Sequence, residues 1–191
     1  MQGLGEQAAL RRLAQPPVSP PIRALAAALL LALAGCSSTQ PPPAGGCPKV
    51  VVLGELAELV RFRPGAGRDL TDVELQAKFS TLASGCRYDK QSVEAEIDIE
   101  VEAGRGPAMG QSKATFQYFA AVTNPAGEIV AKETFDATLE FKGNTTRLVV
   151  ADQLTQRIPL VDRNSGPNWT ILLGLQLTDE QREWIRRRQT R

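Results

Sequence analysis

The 191-residue chain contains no histidine, and this absence removes several kinds of catalytic chemistry. Ser-His-Asp triads, Cys-His dyads and zinc sites with imidazole ligands all depend on that side chain. The sequence also contains no G-x-S-x-G nucleophile motif, no S-x-x-K motif and no phosphate-binding P-loop. We therefore predict that the protein is not an enzyme and that it holds no metal and no cofactor.

An excess of one charge is also lacking, because 22 basic residues are balanced by 21 acidic ones. This balance predicts no nucleic-acid partner. The C-terminal segment 182–191 is locally basic, with five arginines and one glutamate. Basic side chains near a bilayer bind anionic headgroups, so Trp184, Arg186, Arg187 and Arg188 form a candidate membrane-contact tail. The plainer interpretation is a solvated chain end.

No apolar run is long enough to cross a bilayer. The longest, ALAAALLLALA at 24–34, is far shorter than the about 20 residues that a spanning helix needs. A run of this length suits the core of a signal peptide. Arg11, Arg12 and Arg23 supply the positive charge that precedes such a core.

The residues that close this run carry a family resemblance. The sequence LAGC at 33–36 resembles the lipobox of bacterial lipoproteins. The resemblance implies a signal peptide over 1–35, a diacylglyceryl group on the Cys36 thiol, and cleavage that leaves Cys36 as the first residue. Ser37 in the next position implies sorting to the outer membrane of a two-membrane bacterium. The expected location is the periplasmic face of the envelope, with the lipid anchor as the membrane contact.

The segment 36–46 reads as the lipidated cysteine followed by a proline-rich tether. Two acyl chains anchor a protein stably, whereas a single chain binds reversibly. The ten residues 37–46 reach at most about 33 Å. Pro41-Pro42-Pro43 favours extended polyproline geometry, so we predict a stiff spacer.

Two cysteines remain once Cys36 is assigned to lipid. An even number outside the cytoplasm favours one disulfide, here between Cys47 and Cys86. The alternative is two buried free thiols. Closing a loop of about 40 residues would stabilise the fold by roughly 4 kcal/mol in the chain-entropy treatment.

Period-two alternation dominates the rest of the chain and predicts strands. The clearest example is 93–102, where apolar residues alternate with five carboxylates that a strand places on one face: Glu94, Glu96, Asp98, Glu100 and Glu102. This acidic face is either solvated and paired across the sheet with lysines such as Lys78 or Lys132, or it is a cation site or a surface for a basic partner.

Similar alternation at 73–79, 114–122 and 129–141 predicts further strands, and 50–53, 148–154 and 169–177 supply the remainder. The segment 55–59 is compatible with a short helical turn. Turn residues at 88–91, 124–127 and 142–145 predict hairpins, and a change of phase near Leu82 predicts a bulge. The expected fold is an all-β antiparallel β-sandwich over 47–177, immunoglobulin-like, with about seven strands.

A short helix closes the chain at 178–191, with Thr178 and Gln181 forming a capping box. A second candidate site is RFRPGAGRD at 61–69, where Gly65, Gly67 and three arginines form either an anion cradle or an ordinary Pro-Gly turn.

The mature chain also resembles a family of uncharacterised envelope lipoproteins of two-membrane bacteria. The stretches RFRPGAGRDLTDV, GCRYDK and LQLTDEQ carry this resemblance, which spans most of 47–181. The family has no assigned activity, so the resemblance supplies no functional residues.

The sequence therefore predicts a lipid-anchored, non-enzymatic structural or protein-interaction module. It would present sheet edges or its acidic face to another envelope protein. The alternative is a binder of a cell-wall polymer or glycan, with Trp169 and Phe119 as the aromatic side chains available to stack on sugars.

Overall fold

The computed structural model describes residues 45–189 except Ala66. Cys36, the predicted signal peptide and most of the predicted tether lie outside the described residues. Eight strands are followed by one helix, α1 (Asp179–Gln189). The strands are β1 (Lys49–Val52), β2 (Glu58–Phe62), β3 (Val73–Tyr88), β4 (Ser92–Arg105), β5 (Lys113–Thr123), β6 (Ile129–Glu140), β7 (Arg147–Pro159) and β8 (Thr170–Leu175).

The strands form two four-stranded sheets, which confirms the predicted β-sandwich. Sheet 1 has the order β1-β8-β5-β6, and sheet 2 has the order β2-β3-β4-β7. The pairing is antiparallel except between β1 and β8, which run parallel. The extra strand relative to the expected seven is β2, because the helical turn ends at Leu56 and an extended segment begins at Glu58.

Two of the three predicted hairpin turns are correct, and one is wrong. The turns at 89–91 and 124–128 join β3 to β4 and β5 to β6, which are neighbours in one sheet. The turn at 142–145 instead carries the chain from β6 in sheet 1 to β7 in sheet 2. Turn residues mark a change of direction, but they do not specify whether the next strand pairs or crosses over.

The core is built on the alternation that the sequence shows. In β4 every second residue is apolar and at most 2 % exposed, from Val93 to Val101. β4 lies between β3 and β7, so its backbone is paired on both sides. The register of β3 shifts between Phe79 and Thr81. This shift confirms the bulge predicted near Leu82, and it lies about two residues earlier in the chain.

The sandwich has two distinct ends. At the entry end the described chain begins at Gly45, and the 89–91 turn, the 124–128 turn and the 160–169 crossover lie there. At the helix end lie the loop 63–72, the crossovers 106–112 and 141–146, and α1. At about 3.3 Å per residue, the sixteen residues of β3 separate the two ends by about 50 Å.

The sulfurs of Cys47 and Cys86 lie 2.06 Å apart at the entry end, which confirms the predicted pair. The bond joins the start of the described chain to the end of β3 in the opposite sheet. Nearby, the Tyr88 hydroxyl donates a hydrogen bond of 2.5 Å to the carbonyl oxygen of Gly46. The entry point of the chain is thus fixed to sheet 2.

Candidate functional site

The acidic face of β4 lies on the outer surface of sheet 2 and is paired with the adjacent strands. Arg87 of β3 contacts Glu94, and its second nitrogen lies 2.9 Å from Glu96. The hydrogen bond with Glu94, followed by the charge of Glu96, raises the pKa of Arg87 above its usual value. Two of the five carboxylates are therefore partly neutralised by one guanidinium.

The other three carboxylates have partners as well: Glu100 accepts from Thr81 (2.7 Å), Asp98 accepts from Gln153 (2.8 Å), and Glu102 lies between Lys78 (3.5 Å) and Arg147 (3.0 Å). The predicted pairing with Lys78 is confirmed. The pairing with Lys132 is wrong, because that residue lies on sheet 1 with its amine 4.3 Å from the ring centre of Phe119. Among the described residues, no group of three or more Cys, Asp or Glu side chains is placed to hold a metal ion.

The loop after β2 is ordered around one buried carboxylate. Asp72 is 4 % exposed, and its carboxylate lies 2.7 Å from Arg63. Asp69 caps the adjoining turn by accepting hydrogen bonds from the hydroxyl (2.6 Å) and the amide (2.7 Å) of Thr71, which lower the pKa of Asp69. A Cβ on Gly67 would lie 2.8 Å from the Asp72 carboxylate, so glycine leaves room for this arrangement.

The three arginines of the segment 61–69 do not converge on one point, so the structure favours the ordinary turn over the anion cradle. Arg61 donates a hydrogen bond of 2.7 Å to the carbonyl of Thr115, and Arg63 is committed to Asp72. Arg68 reaches across to α1, where it contacts Glu180. The loop is therefore joined to the C-terminal helix, which the sequence pattern does not show.

The capping box that begins α1 forms as predicted. The backbone amide of Thr178 donates to the Gln181 side chain (2.9 Å), and the amide of Gln181 donates to the Thr178 hydroxyl (3.3 Å). Ile185 is buried, and Trp184 packs edge-on against Phe62 of β2 with ring centres 5.3 Å apart. The helix thus docks on sheet 2 through its short apolar edge.

Two arginines cover this aromatic pair. Arg68 lies 5.3 Å from the ring centre of Phe62, and Arg188 lies 4.6 Å from that of Trp184. Arg188 also lies 3.8 Å from Glu58. Guanidinium groups over aromatic faces gain from the ring quadrupole.

A cleft of about 550 Å³ opens beside this cluster on the outer face of sheet 2. Apolar groups line part of it, including Val60, Phe62, Leu70 and Trp184. Its charged lining has four cations and three carboxylates: Arg68, Lys78, Arg147, Arg188, Glu58, Asp69 and Glu102. The arrangement suits a ligand that offers an apolar or aromatic group together with paired charges.

The predicted tail is only partly in this cleft. Trp184 and Arg188 line it, Arg187 lies 3.4 Å from Glu183 on the helix surface, and Arg186 is exposed. These residues lie at the helix end, on the far side of the fold from Gly45. The membrane contact of the tail stays a prediction.

Trp169 and Phe119 do not form an exposed sugar-stacking surface. Phe119 is only 7 % exposed, and Trp169 is half-buried at the entry end. A Cβ on Gly174 would lie 2.8 Å from the Phe119 ring, so that ring is closely packed against β8. The aromatic side chains that line the cleft are instead Phe62 and Trp184.

One polar contact between the sheets was not predicted. The buried hydroxyl of Tyr118 in β5 donates to the carboxylate of Asp152 in β7. Burial, and then the hydrogen bond with Asp152, raise the pKa of Tyr118 above its usual value. The sequence does carry a signal for this contact. Asp152 is a charged residue at a position where the alternation of Leu148, Val150 and Leu154 predicts an apolar one.

No family model matches the chain, and no curated protein is similar to it in sequence. Among the described helices, none is long and apolar enough to cross a membrane.

Proposed function

We propose that the protein is a lipid-anchored, non-enzymatic interaction module of the cell envelope, and that it binds another envelope protein through the cleft at the helix end. The observation that carries this proposal is the Phe62–Trp184 pair under two arginines beside an open cavity. Aromatic and arginine side chains in partly desolvated pockets supply most of the binding energy of protein interfaces.

The position of the cleft supports the same function. The chain that carries the proposed anchor enters at Gly45, and the cleft lies at the opposite end of the sandwich. An anchored domain of this shape can hold a binding surface away from its own membrane. The acidic face is a weaker candidate, because its carboxylates already have partners on β3 and β7.

Affinity purification from crosslinked cells tests the proposal. Wild-type protein is compared with Trp184→Ala and with the matched control Trp169→Ala, a half-buried tryptophan at the other end. We expect a defined envelope protein with wild type and Trp169→Ala, and at least a tenfold loss with Trp184→Ala. Equal recovery with both variants contradicts the assignment of the cleft.

The anchor has its own test. Mass spectrometry of the mature protein should show Cys36 as the first residue with acyl chains attached, and Cys36→Ala should release the protein from membranes. An intact, unmodified N-terminus contradicts the lipoprotein assignment.

A binder of a cell-wall polymer or glycan is the second candidate. The presence of Phe62 and Trp184 in the lining of the cleft favours it, because sugars stack on aromatic rings next to charged groups. Salt-resistant binding to purified sacculi that Trp184→Ala abolishes would support this candidate over a protein partner.

A further inference from the structure

Seven large apolar side chains are exposed in the described part of the chain; three of them lie at the entry end of the sandwich, and two, Leu70 and Val149, lie at the helix end. Ile129 and Val130, at the start of β6, are 61 % and 54 % exposed, and Val161, just after β7, is fully exposed. Single exposed apolar residues are ordinary on protein surfaces, and they become informative through their location. These three lie at the end where the chain enters from its predicted lipid anchor.

The carboxylates beside these residues are engaged in local contacts. Glu128 accepts a hydrogen bond of 2.8 Å from the Asn124 side chain, and Asp162 accepts one of 3.0 Å from the amide of Asn164. Both carboxylates therefore accept hydrogen bonds within the turns next to Ile129 and Val161. The neighbouring apolar side chains are exposed to solvent.

We infer that this end of the domain rests on the lipid surface, with Ile129, Val130 and Val161 in the headgroup region of the bilayer. The inference depends on the lipid anchor of the proposed function. The bilayer is the occupant because the chain outside the described residues joins the fold here. A tether of at most about 33 Å keeps this end near the surface at a high effective concentration, so a small apolar contact is sufficient.

This contact orients the domain. The long axis of the sandwich then stands away from the membrane. The cleft lies about 33 to 50 Å further out, because its lining on β3 runs from Lys78 to Val73, ten to fifteen residues from the end of that strand. The contact therefore decides which side of the envelope space the cleft faces.

Tryptophan quenching tests the inference with two exposed valines near opposite ends of one strand. Val149 is 60 % exposed near the start of β7, and Val161 follows its end. Acylated Val161→Trp and Val149→Trp proteins are placed in phosphatidylethanolamine–phosphatidylglycerol vesicles with brominated acyl chains. Trp169 and Trp184 contribute the same background to both proteins.

We expect the added tryptophan at 161 to be quenched at least threefold more than the one at 149. Equal quenching of the two overturns the inference. The mass of each purified protein is measured first, so that failure of the anchor is distinguished from failure of the contact. An acylated protein with equal quenching retains the proposed function and loses only this orientation.

Discussion

The two ends of the sandwich are held by different kinds of interaction. At the entry end, the Cys47–Cys86 bond and the Tyr88–Gly46 hydrogen bond attach the incoming chain to sheet 2. At the helix end, α1 and the loop 63–72 are joined by half-exposed rings and arginines around a cleft. The first set includes a covalent bond, whereas the second is entirely noncovalent and open to solvent.

In the proposed function, this difference separates the end that is attached from the end that binds. A covalent link at the entry end fixes the point where the chain enters the fold, whereas solvent-exposed contacts at the helix end leave the cleft able to adjust. Regions with few buried apolar contacts open at lower free energy than the core. We therefore expect the helix end to open before the entry end, and the following changes test that order.

Removal of the disulfide should have the largest effect. Replacing Cys47→Ser and Cys86→Ser together should lower the free energy of unfolding by roughly 4 kcal/mol, because the unfolded chain regains the entropy of the closed loop. Denaturant unfolding measures the loss, and reduction of the wild-type protein is the control. An unchanged midpoint would show that the entry end is held by its other contacts.

Trp184→Ala should have the next largest effect. It should lower the free energy of unfolding by about 2 kcal/mol, because it removes a half-buried ring and its contact with Phe62. Hydrogen exchange should show faster exchange in α1 and unchanged exchange near Cys47. Trp169→Ala serves as the control and should leave α1 protected. If hydrogen exchange in α1 accelerates equally in both variants, the two ends do not differ in the way that we expect.

Tyr118→Phe removes a contact that lies between the two ends and should lower the free energy of unfolding by about 1 kcal/mol. The loss is small because Asp152 is exposed and can hydrogen-bond to water instead. The raised pKa of Tyr118 means that the unfolded chain ionises first as pH rises. Its contribution to stability is therefore complete below about pH 10 and is lost at higher pH. Unfolding measured from pH 8 to pH 11 should show a smaller decline in the variant, and an equal decline would contradict this.

Asp69→Asn should have the smallest effect on the free energy of unfolding, and this effect should be confined to the helix end. The pKa of Asp69 is lowered by its bonds with Thr71, so its contribution is present above about pH 4 and is lost as pH falls. The loss of stability between pH 7 and pH 3 should be slightly smaller in the variant. Matching pH profiles would show that this cap does not stabilise the loop.

Much of the fold was predictable because strands leave a local signal. The alternation in β4 fixed which residues are buried, and the capping residues of α1 fixed where the helix begins. β2 was not predicted as a strand, because five residues next to a helical turn carry too short a pattern. The turn residues at 142–145 do not predict the crossover, because the partner of a strand is determined by segments that are distant in the sequence.

The site was less predictable for the same reason. The sequence singled out the loop 61–69 and the basic tail separately, and each carried a weak signal. Arg68 contacts Glu180, in the first turn of the helix that carries the basic tail, and this pair joins residues more than 100 positions apart. The acidic strand is paired across the sheet, as one of its two interpretations predicts, but its partners Arg87 and Arg147 could be identified only once the neighbouring strands were placed beside it.

The sequence by itself determined the β-sandwich, the cysteine pair and the capped helix, because these depend on periodicity, residue count and local hydrogen bonding. Only the tertiary structure decided that the cleft and the entry point of the chain lie at opposite ends. That separation follows from the direction and length of β3 and β4, and strand pairing over such distances leaves no trace in any short stretch of sequence.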